Sequence, residues 1–467
     1  MNFVNRKNEL NFLRELHTSS GAELLVVYGR RRVGKTELLR YFSEKHPHIF
    51  FTATQTTDKN LLSQWSQLLW RHKEQTVLPD FTFPDWESSL RYLATLATDE
   101  RLIVIVDEFP YLVEANAALP SILQKVWDDT LRHRQIMLVL CGSSIGMMEK
   151  HALDHSSPLY GRRSGQLLLP PLDFSAARQF FPRQTFTEQV ETYAVFGGIP
   201  AYLERFDPAR RLSANVVRHI LTPNRFLFDE PLFLLRTELR EPRSYFAILQ
   251  AIAHGNTRPN AIAQASGVGD ARMISKYLSV LQSLHLVARA VPVTESQPQK
   301  SRRGIYRITD NFLRFWFRFV APYRSELAQG QAKQVWQNKI EPRLSEFIGP
   351  IFEDICRQRV WEMARAGNLP FMPQKVGSWW THQAEVDVLA VDDITQSALV
   401  GECKWRNRPV GANILRDLQA KADLLRKQYN FRQIYFALGA KAGFTAELEE
   451  MARERASALI LLEFPNE

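Results

Sequence analysis

The sequence predicts an α/β chain that opens on a parallel-sheet nucleotide-binding domain, and three observations carry that prediction. Residues 29–36 read Gly-Arg-Arg-Arg-Val-Gly-Lys-Thr, a complete Walker A phosphate loop set between a strand-like and a helix-like run. Residues 102–108 form five apolar residues closed by Asp107 and Glu108, the pattern of a buried parallel strand with its charges at the C-terminal tip. Apolar β-branched runs then alternate with amphipathic helical stretches to about residue 205.

The elements follow in order. Leu24–Tyr28 is the strand into the loop, and Glu37–Phe42 continues the helix out of it. Gly29 and Gly34 let backbone N–H groups turn toward phosphate oxygens, and the helix N-terminus adds its partial positive charge. Gly29, Arg32, Gly34, Lys35 and Thr36 are therefore the nucleotide candidates of the loop. Lys35 would reach the β- and γ-phosphates, and the Thr36 hydroxyl would ligate Mg²⁺. Such a motif arises by chance in about 1–2% of chains this long, and its flanks argue against a basic surface loop. Asp107 would hold the same Mg²⁺ through water, while Glu108 is placed to orient or deprotonate the attacking water. Phe50–Thr52 is a further strand. Ile136–Cys141 is another, running into Gly142-Ser143-Ser144, where Ser143 either senses the γ-phosphate or caps a helix.

Length and composition narrow the class. The 467 residues allow about three domains, and a 45% hydrophobic content lets each bury a core. Cys141, Cys356 and Cys403 are scattered in or beside apolar runs, which fits neither a disulfide framework nor a zinc site and predicts a reduced, cytoplasmic protein. No apolar run is long enough to cross a bilayer, so no membrane partner is expected. A net charge of +9 and a pI near 9.4 favour a polyanionic partner without proving one.

Residues 175–235 read as a helical appendage to the sheet, completing a first domain over 1–235. Residues 236–320 read as a winged helix-turn-helix. Tyr245–Ala253 and Arg258–Ala265 are helices, Gly267 ends the second, and Asp270 caps a third through Leu284. Leu286–Val293 and Gly304–Ile308 would form the wing, with Glu295–Arg303 disordered between them. Residues 240–310 hold ten Lys/Arg against four Asp/Glu, a net of +6. Arg272 and Lys276 on the third helix and Arg302 and Arg303 in the wing are the nucleic-acid candidates, although a winged helix used only for packing fits as well. The aromatic stripe Phe312, Phe315, Trp316, Phe317 and Phe319 reads as core.

The last domain, 321–467, carries a second set of charges. Glu385–Val391 and Ala398–Trp405 are strands joined across Asp392-Asp393. Pairing Val391 with Ala398 sets Asp387 opposite Glu402, with Lys404 two residues on and facing the same way. Two carboxylates facing each other on an apolar hairpin repel, and a divalent cation between them removes the conflict. Asp387 and Glu402 are candidate ligands for Mg²⁺ or Mn²⁺, Lys404 would help generate a hydroxide, and Glu353 on the preceding helix offers a further carboxylate. An ordinary Glu/Lys pair on a wet edge strand is the alternative.

Together these residues resemble the archaeal-type ATPases of the STAND branch of AAA-related P-loop proteins. The resemblance rests on Phe3–Leu10, the two Walker motifs, Leu159–Gly165 ahead of Pro170-Pro171-Leu172, and Gly197-Gly198-Ile199-Pro200. It implies that the N-terminal box, with Arg6, lies against adenine, and that Arg162 or Arg163 senses the nucleotide, in cis or from a neighbouring copy. The C-terminal domain resembles the restriction-endonuclease-like PD-(D/E)XK domain fused to a subset of these ATPases. Asp387 would be the family Asp, Glu402-Cys403-Lys404 its Glu-x-Lys, and Glu353 its helical carboxylate; Val386 departs from the family Pro. The implied function is an ATPase that gates a metal-dependent nuclease on DNA, or less readily RNA, in defence or genome maintenance. A nucleotide-dependent switch or DNA-binding regulator that does not cut is the alternative. A homo-oligomer or a regulatory protein partner stays open.

Overall fold

The computed structural model describes residues 4–464 apart from 76–79, 99, 240 and 455–457. Phe3 of the N-terminal box lies outside the described residues. Contacts divide the chain into two units, Met1–Leu172 with Ile199–Ala201, and Asp173–Gly198 with Tyr202–Glu467. The helices expected to hang on the nucleotide sheet therefore group with the second unit from Asp173 onward, where Phe174, Val190 and Ala194 share a core with Phe352 and Ile355. Aromatic and aliphatic side chains, rather than sequence adjacency, decide that grouping.

In the first unit five strands form one sheet: β1 (Glu23–Tyr28), β2 (His48–Thr52), β3 (Leu102–Asp107), β4 (Ile136–Gly142) and β5 (Gly165–Leu168). Their order is β2-β3-β4-β1-β5, and every pair is parallel. β1, β3 and β4 are buried along their whole length, which is why they read as unbroken apolar runs. Each fully buried Val or Leu there contributes roughly 1.5–3 kcal/mol. β5 is the element the sequence reading missed, because a four-residue edge strand of partly exposed residues carries no such run. The ordering sets β4 between the phosphate-loop strand and the acidic-tipped strand, so the tips of all three meet at one end.

Helices Pro242–Ala253, Pro259–Ser266 and Ala271–Ser283 in the second unit precede an antiparallel ribbon of β6 (Val287–Ala290) and β7 (Ile305–Ile308). Asp270 caps the third helix by accepting the Met273 N–H at 2.8 Å, and Gly267 closes the second at φ +67°. The expected disorder over Glu295–Arg303 is not what the structure shows. A 3₁₀ turn covers Pro298–Lys300, Arg289 donates to the carbonyls of Pro298 and Ser301, and Arg303 pairs with Glu295. Charged side chains that looked solvated hold the loop instead. Phe312, Phe315, Trp316, Phe317 and Phe319 are fully buried, as core.

A mixed sheet follows, β12-β11-β10-β9-β8, made of β8 (Lys375–Trp380), β9 (Glu385–Asp392), β10 (Ser397–Lys404), β11 (Gln433–Ala440) and β12 (Leu459–Leu461). β8–β9 and β9–β10 are antiparallel, β10–β11 and β11–β12 parallel. Val391 pairs with Ala398, the expected register. Helix Leu344–Arg365 covers one face through Phe352, Ile355 and Cys356, and helix Ala412–Tyr429 covers the other through Leu415, Leu418 and Leu425. Both faces of the hairpin are thus dry.

Gly29 is constrained sharply by this packing, and by backbone rather than by a side chain that could move aside. Its φ is +148°, and a Cβ there would lie 2.5 Å from the Leu169 carbonyl oxygen just beyond β5. Gly29→Ala is expected to destabilise the protein by about 1–3 kcal/mol, visible as a lowered first thermal transition. Gly21→Ala, with nothing within 4 Å of its Cβ position, is the control expected to shift it little.

Candidate functional sites

The phosphate loop is held from behind. Arg6 sits at φ +66° and is buried; it donates to the carbonyls of Val33 at 3.1 Å and Pro170 at 2.7 Å, and pairs with Glu9 at 2.9 Å. Its visible work is thus to brace the loop backbone. Arg32 is exposed at φ +69°, and Gly34 at φ +93° starts the helix Lys35–Ser43. The buried Lys35 Nζ donates to the carbonyls of Gly29 and Arg30, each at 2.9 Å, so the ammonium rests on the loop that a phosphate would share with it.

Across the sheet tip, the Thr36 hydroxyl donates to Asp107 at 2.7 Å, and Asp107 accepts the Glu108 N–H at 3.0 Å. Thr36 and Asp107 offer two hard oxygens, one anionic and buried, so they fit the Mg²⁺ of a bound nucleotide. Glu108 lies at φ +54°. Ser143, at the end of β4, donates its hydroxyl to both carboxylate oxygens of Glu108 at 2.9 Å, with its N–H 3.4 Å from one of them. Ser143 is therefore not the helix cap, which falls on Ser144; its hydroxyl holds the Glu108 carboxylate at the sheet tip. Arg162 is taken up by Asp128 through Nε and Nη2 at 2.7–2.9 Å, and Arg163 by the carbonyls of Ala152 and Leu153, 5.3 Å from the Tyr160 ring.

The acidic hairpin in the second unit is built differently. Its ladder ends at Gly401–Val388, one pair short of Asp387 and Glu402. There the Asp387 carboxylate accepts the Cys403 N–H at 2.8 Å. The buried Glu402 accepts from Lys404 at 2.5 Å through one oxygen and from Lys421 at 2.8 Å through the other. Glu353, on the Leu344–Arg365 helix, lies 3.8 Å from Arg357, which also donates to the Asp387 carbonyl. Burial, and then the charge of Glu402, push Asp387 up to about 6. Burial, and then Asp387, push Glu353 up to about 7. Burial opposes the Lys404 charge, but its hydrogen bond to Glu402 leaves it above the usual lysine value.

Among the described residues no three His, Cys, Asp or Glu side chains converge as a metal cage. Asp387 and Glu402 supply two carboxylates, which suits Mg²⁺: it keeps its waters and takes one or two carboxylates plus substrate phosphate. Lys421 and Arg357 escaped the sequence reading. Lys421 carried a signal, since it falls on the apolar stripe of its helix between buried Leu418 and Leu425. Arg272, Lys276 and Arg302 are exposed, whereas Arg303 is tied to Glu295 at 3.1 Å.

Comparison with known proteins decides the family. A model described as an ATPase domain predominantly from Archaea matches residues 3–206, and one described as archaeal and bacterial proteins of unknown function matches 316–420. An uncharacterized protein of Methanocaldococcus jannaschii is 33% identical over 443 residues, covering 94% of this chain and 96% of its own. The chain belongs to this archaeal-type P-loop ATPase family. The Walker-type ATPase of Pyrococcus abyssi shares the fold, at TM-score 0.52 and 22% identity over 68% of this chain and 96% of that one. An origin recognition protein of Aeropyrum pernix, solved with ADPNP and ADP, overlaps more loosely at TM-score 0.42 and 14% identity, over 71% of this chain and 96% of that one. This ATPase thus joins an ATP-binding P-loop unit to a second α/β unit with a mixed sheet. No helix among the described residues is long and apolar enough to cross a membrane.

Two outcomes follow from these geometries. Glu108→Gln is expected to lower the kcat of ATP hydrolysis at least about 100-fold while leaving nucleotide affinity within about threefold, and Ser143→Ala to lower kcat about tenfold; steady-state hydrolysis with nucleotide titration reads both. The raised values of Asp387 and Glu353 mean that the native state keeps protons the unfolded chain has lost between about pH 4 and 7, so metal-free stability falls as pH rises through that window. Asp387→Asn is expected to stabilise the metal-free protein by about 1 kcal/mol at pH 8 and by nothing at pH 4, in chelator-containing thermal melts.

Proposed function

We propose that this ATPase gates a metal-dependent nuclease, with DNA the favoured substrate. The observation that carries the reading is the end of the β9–β10 hairpin, where Asp387, Glu402, Lys404 and Lys421 gather on a dry sheet with Glu353 and Arg357 alongside. A bound Mg²⁺ or Mn²⁺ would supply Lewis acidity to a phosphodiester and lower the pKa of an attacking water. The chain's own groups do the rest. Asp387 and Glu402 present the hard oxygens, with Asp387 steadied by the Cys403 N–H. Lys404 and Lys421, which neutralise Glu402 in the metal-free arrangement, are placed to face a scissile phosphate once that carboxylate has another partner. Arg357 holds the Asp387 carbonyl from the helix behind it, and Glu353 on that helix offers the further carboxylate.

The exposed Arg272 and Lys276 would hold duplex phosphates if the three helices and ribbon act as a winged helix, with Arg302 in the wing adding a contact. Arg303 is left out of that surface by its pair with Glu295. Nucleotide binding at Lys35, Thr36 and Asp107, and turnover through Glu108, would set when cutting occurs. Defence against foreign DNA or genome maintenance suits such a pairing of activities.

A second reading has its own observation. Both oxygens of Glu402 are already neutralised by lysines, as in a closed structural ion cluster, and such a protein would be a nucleotide switch that binds DNA without cutting. Purified protein incubated with plasmid and single-stranded DNA, in Mg²⁺ or Mn²⁺ and with or without ATP, separates the two. The nuclease reading expects cleavage that Asp387→Ala and Lys404→Ala abolish while ATP hydrolysis stays within about twofold. Intact DNA in every lane, with normal hydrolysis, sinks it.

A further inference from the structure

A cavity of about 320 Å³ within the second unit gathers arginines with little to neutralise them. That volume suits a small ligand. Arg307 lines it from β7, Arg314 and Arg318 from the aromatic core segment, Arg343 from just before the Leu344–Arg365 helix, and His254 from the far wall; Glu346 is the carboxylate among the lining residues. Glu346 is 76% exposed and reaches Arg318 only at 3.8 Å. Arg314 lies 3.6 Å from Asp354, whose other contact, with Arg357, is the closer one. Among the described residues the side chains of Arg307 and Arg343 make no hydrogen bond or ion pair, with Glu353 and Asp354 the carboxylates whose charge Arg307 feels at longer range.

Guanidinium groups around one small space repel each other; burial strips Arg314 of the water that would screen it, while Arg307 and Arg318 are half-buried and Arg343 stands exposed at the rim. Arg314 registers this: burial pushes it down from the usual arginine value, Asp354 and more weakly Glu353 restore part of the loss, and Arg307 and Arg357 push it down again. Arginine does not release its proton in practice, so the conflict stays in the fold until an anion relieves it. One carboxylate ligand, with two oxygens, would be saturated by a single guanidinium fork. A phosphate monoester, with three terminal oxygens and close to two charges, matches several forks at once.

We propose that this cavity binds a terminal phosphate, with Arg307, Arg314, Arg318 and Arg343 as its ligands. The phosphate can come from a free nucleotide or from the end of a nucleic-acid strand, since both present the same group. The assignment does not depend on whether the acidic hairpin cuts.

The test uses the full-length chain carrying Lys35→Ala, which silences the phosphate loop, titrated calorimetrically with inorganic pyrophosphate without divalent cations. Saturable binding is expected, weakened at least about tenfold by Arg307→Gln with Arg343→Gln. Neither side chain makes a hydrogen bond or ion pair, although Arg307 lies in the field of Glu353 and Asp354, so the melting temperature of the double variant is measured alongside and is expected to fall by only a few degrees. Arg183→Gln with Arg236→Gln removes the same charge from two exposed positions elsewhere in the second unit and should leave the affinity within about twofold. No saturable binding, or equal loss in both pairs, overturns the proposal. Anisotropy with 5′-phosphorylated and 5′-hydroxyl oligonucleotides then identifies the source. A preference for the phosphorylated strand that the Arg307/Arg343 pair abolishes assigns a strand end; pyrophosphate binding without such a preference assigns a free phosphate ligand.

Discussion

The hydrogen bond between Thr36 and Asp107 is the constraint around which the first unit is arranged. It joins the start of the helix after the phosphate loop to the tip of β3, although β4 lies between β1 and β3 in the sheet. It can form only if the strands run parallel, end together, and carry their polar residues at that common end. The interposed β4 is no passive spacer, because it leads directly into Ser143, which fixes the Glu108 carboxylate. Nucleotide chemistry therefore depends on three strand tips in register, and the buried runs of β1, β3 and β4 are what hold them there.

The second unit meets the opposite problem. Its sheet is dry on both faces, yet Asp387 and Glu402 lie at the same end of adjacent strands, and the charge of Glu402 makes ionising Asp387 more costly. Lysines from β10 and from the Ala412–Tyr429 helix offset one carboxylate, and a backbone N–H offsets part of the other. A structural ion cluster would be expected to balance its charges fully. The residual conflict at Asp387 and Glu353 is one that a bound cation would relieve, which is why the proposed nuclease reading centres on it.

Much of this was legible in the sequence because it was local. The Walker loop, the acidic strand tip, the Asp270 cap and the Gly267 helix stop are all set by residues a few positions apart. The hairpin register was legible too, since one turn and one apolar alternation fix it. What escaped depended on distance. The grouping of Asp173–Gly198 with the C-terminal unit is made by aromatic contacts across more than a hundred residues. Lys421 meets Glu402 from a helix nineteen positions later, and the arginines of the cavity come from separate elements. For Arg6, Arg162 and Arg163 the resemblance implies contact with nucleotide, and the partners the structure adds are backbone carbonyls, Glu9 and Asp128.

The central claim is that nucleotide state controls cutting, and the chain offers a short covalent route for it. Pro200 lies beside Gly34 in the first unit, and three residues earlier Gly197 packs against Asp310 and Phe312 in the second. The measurement that tests the claim most directly is plasmid cleavage by the Glu108→Gln protein, which should bind ATP without turning it over, with ATP and with no nucleotide. The account predicts cleavage rates that differ at least about tenfold between the two conditions. Measurable cleavage at equal rates would contradict it.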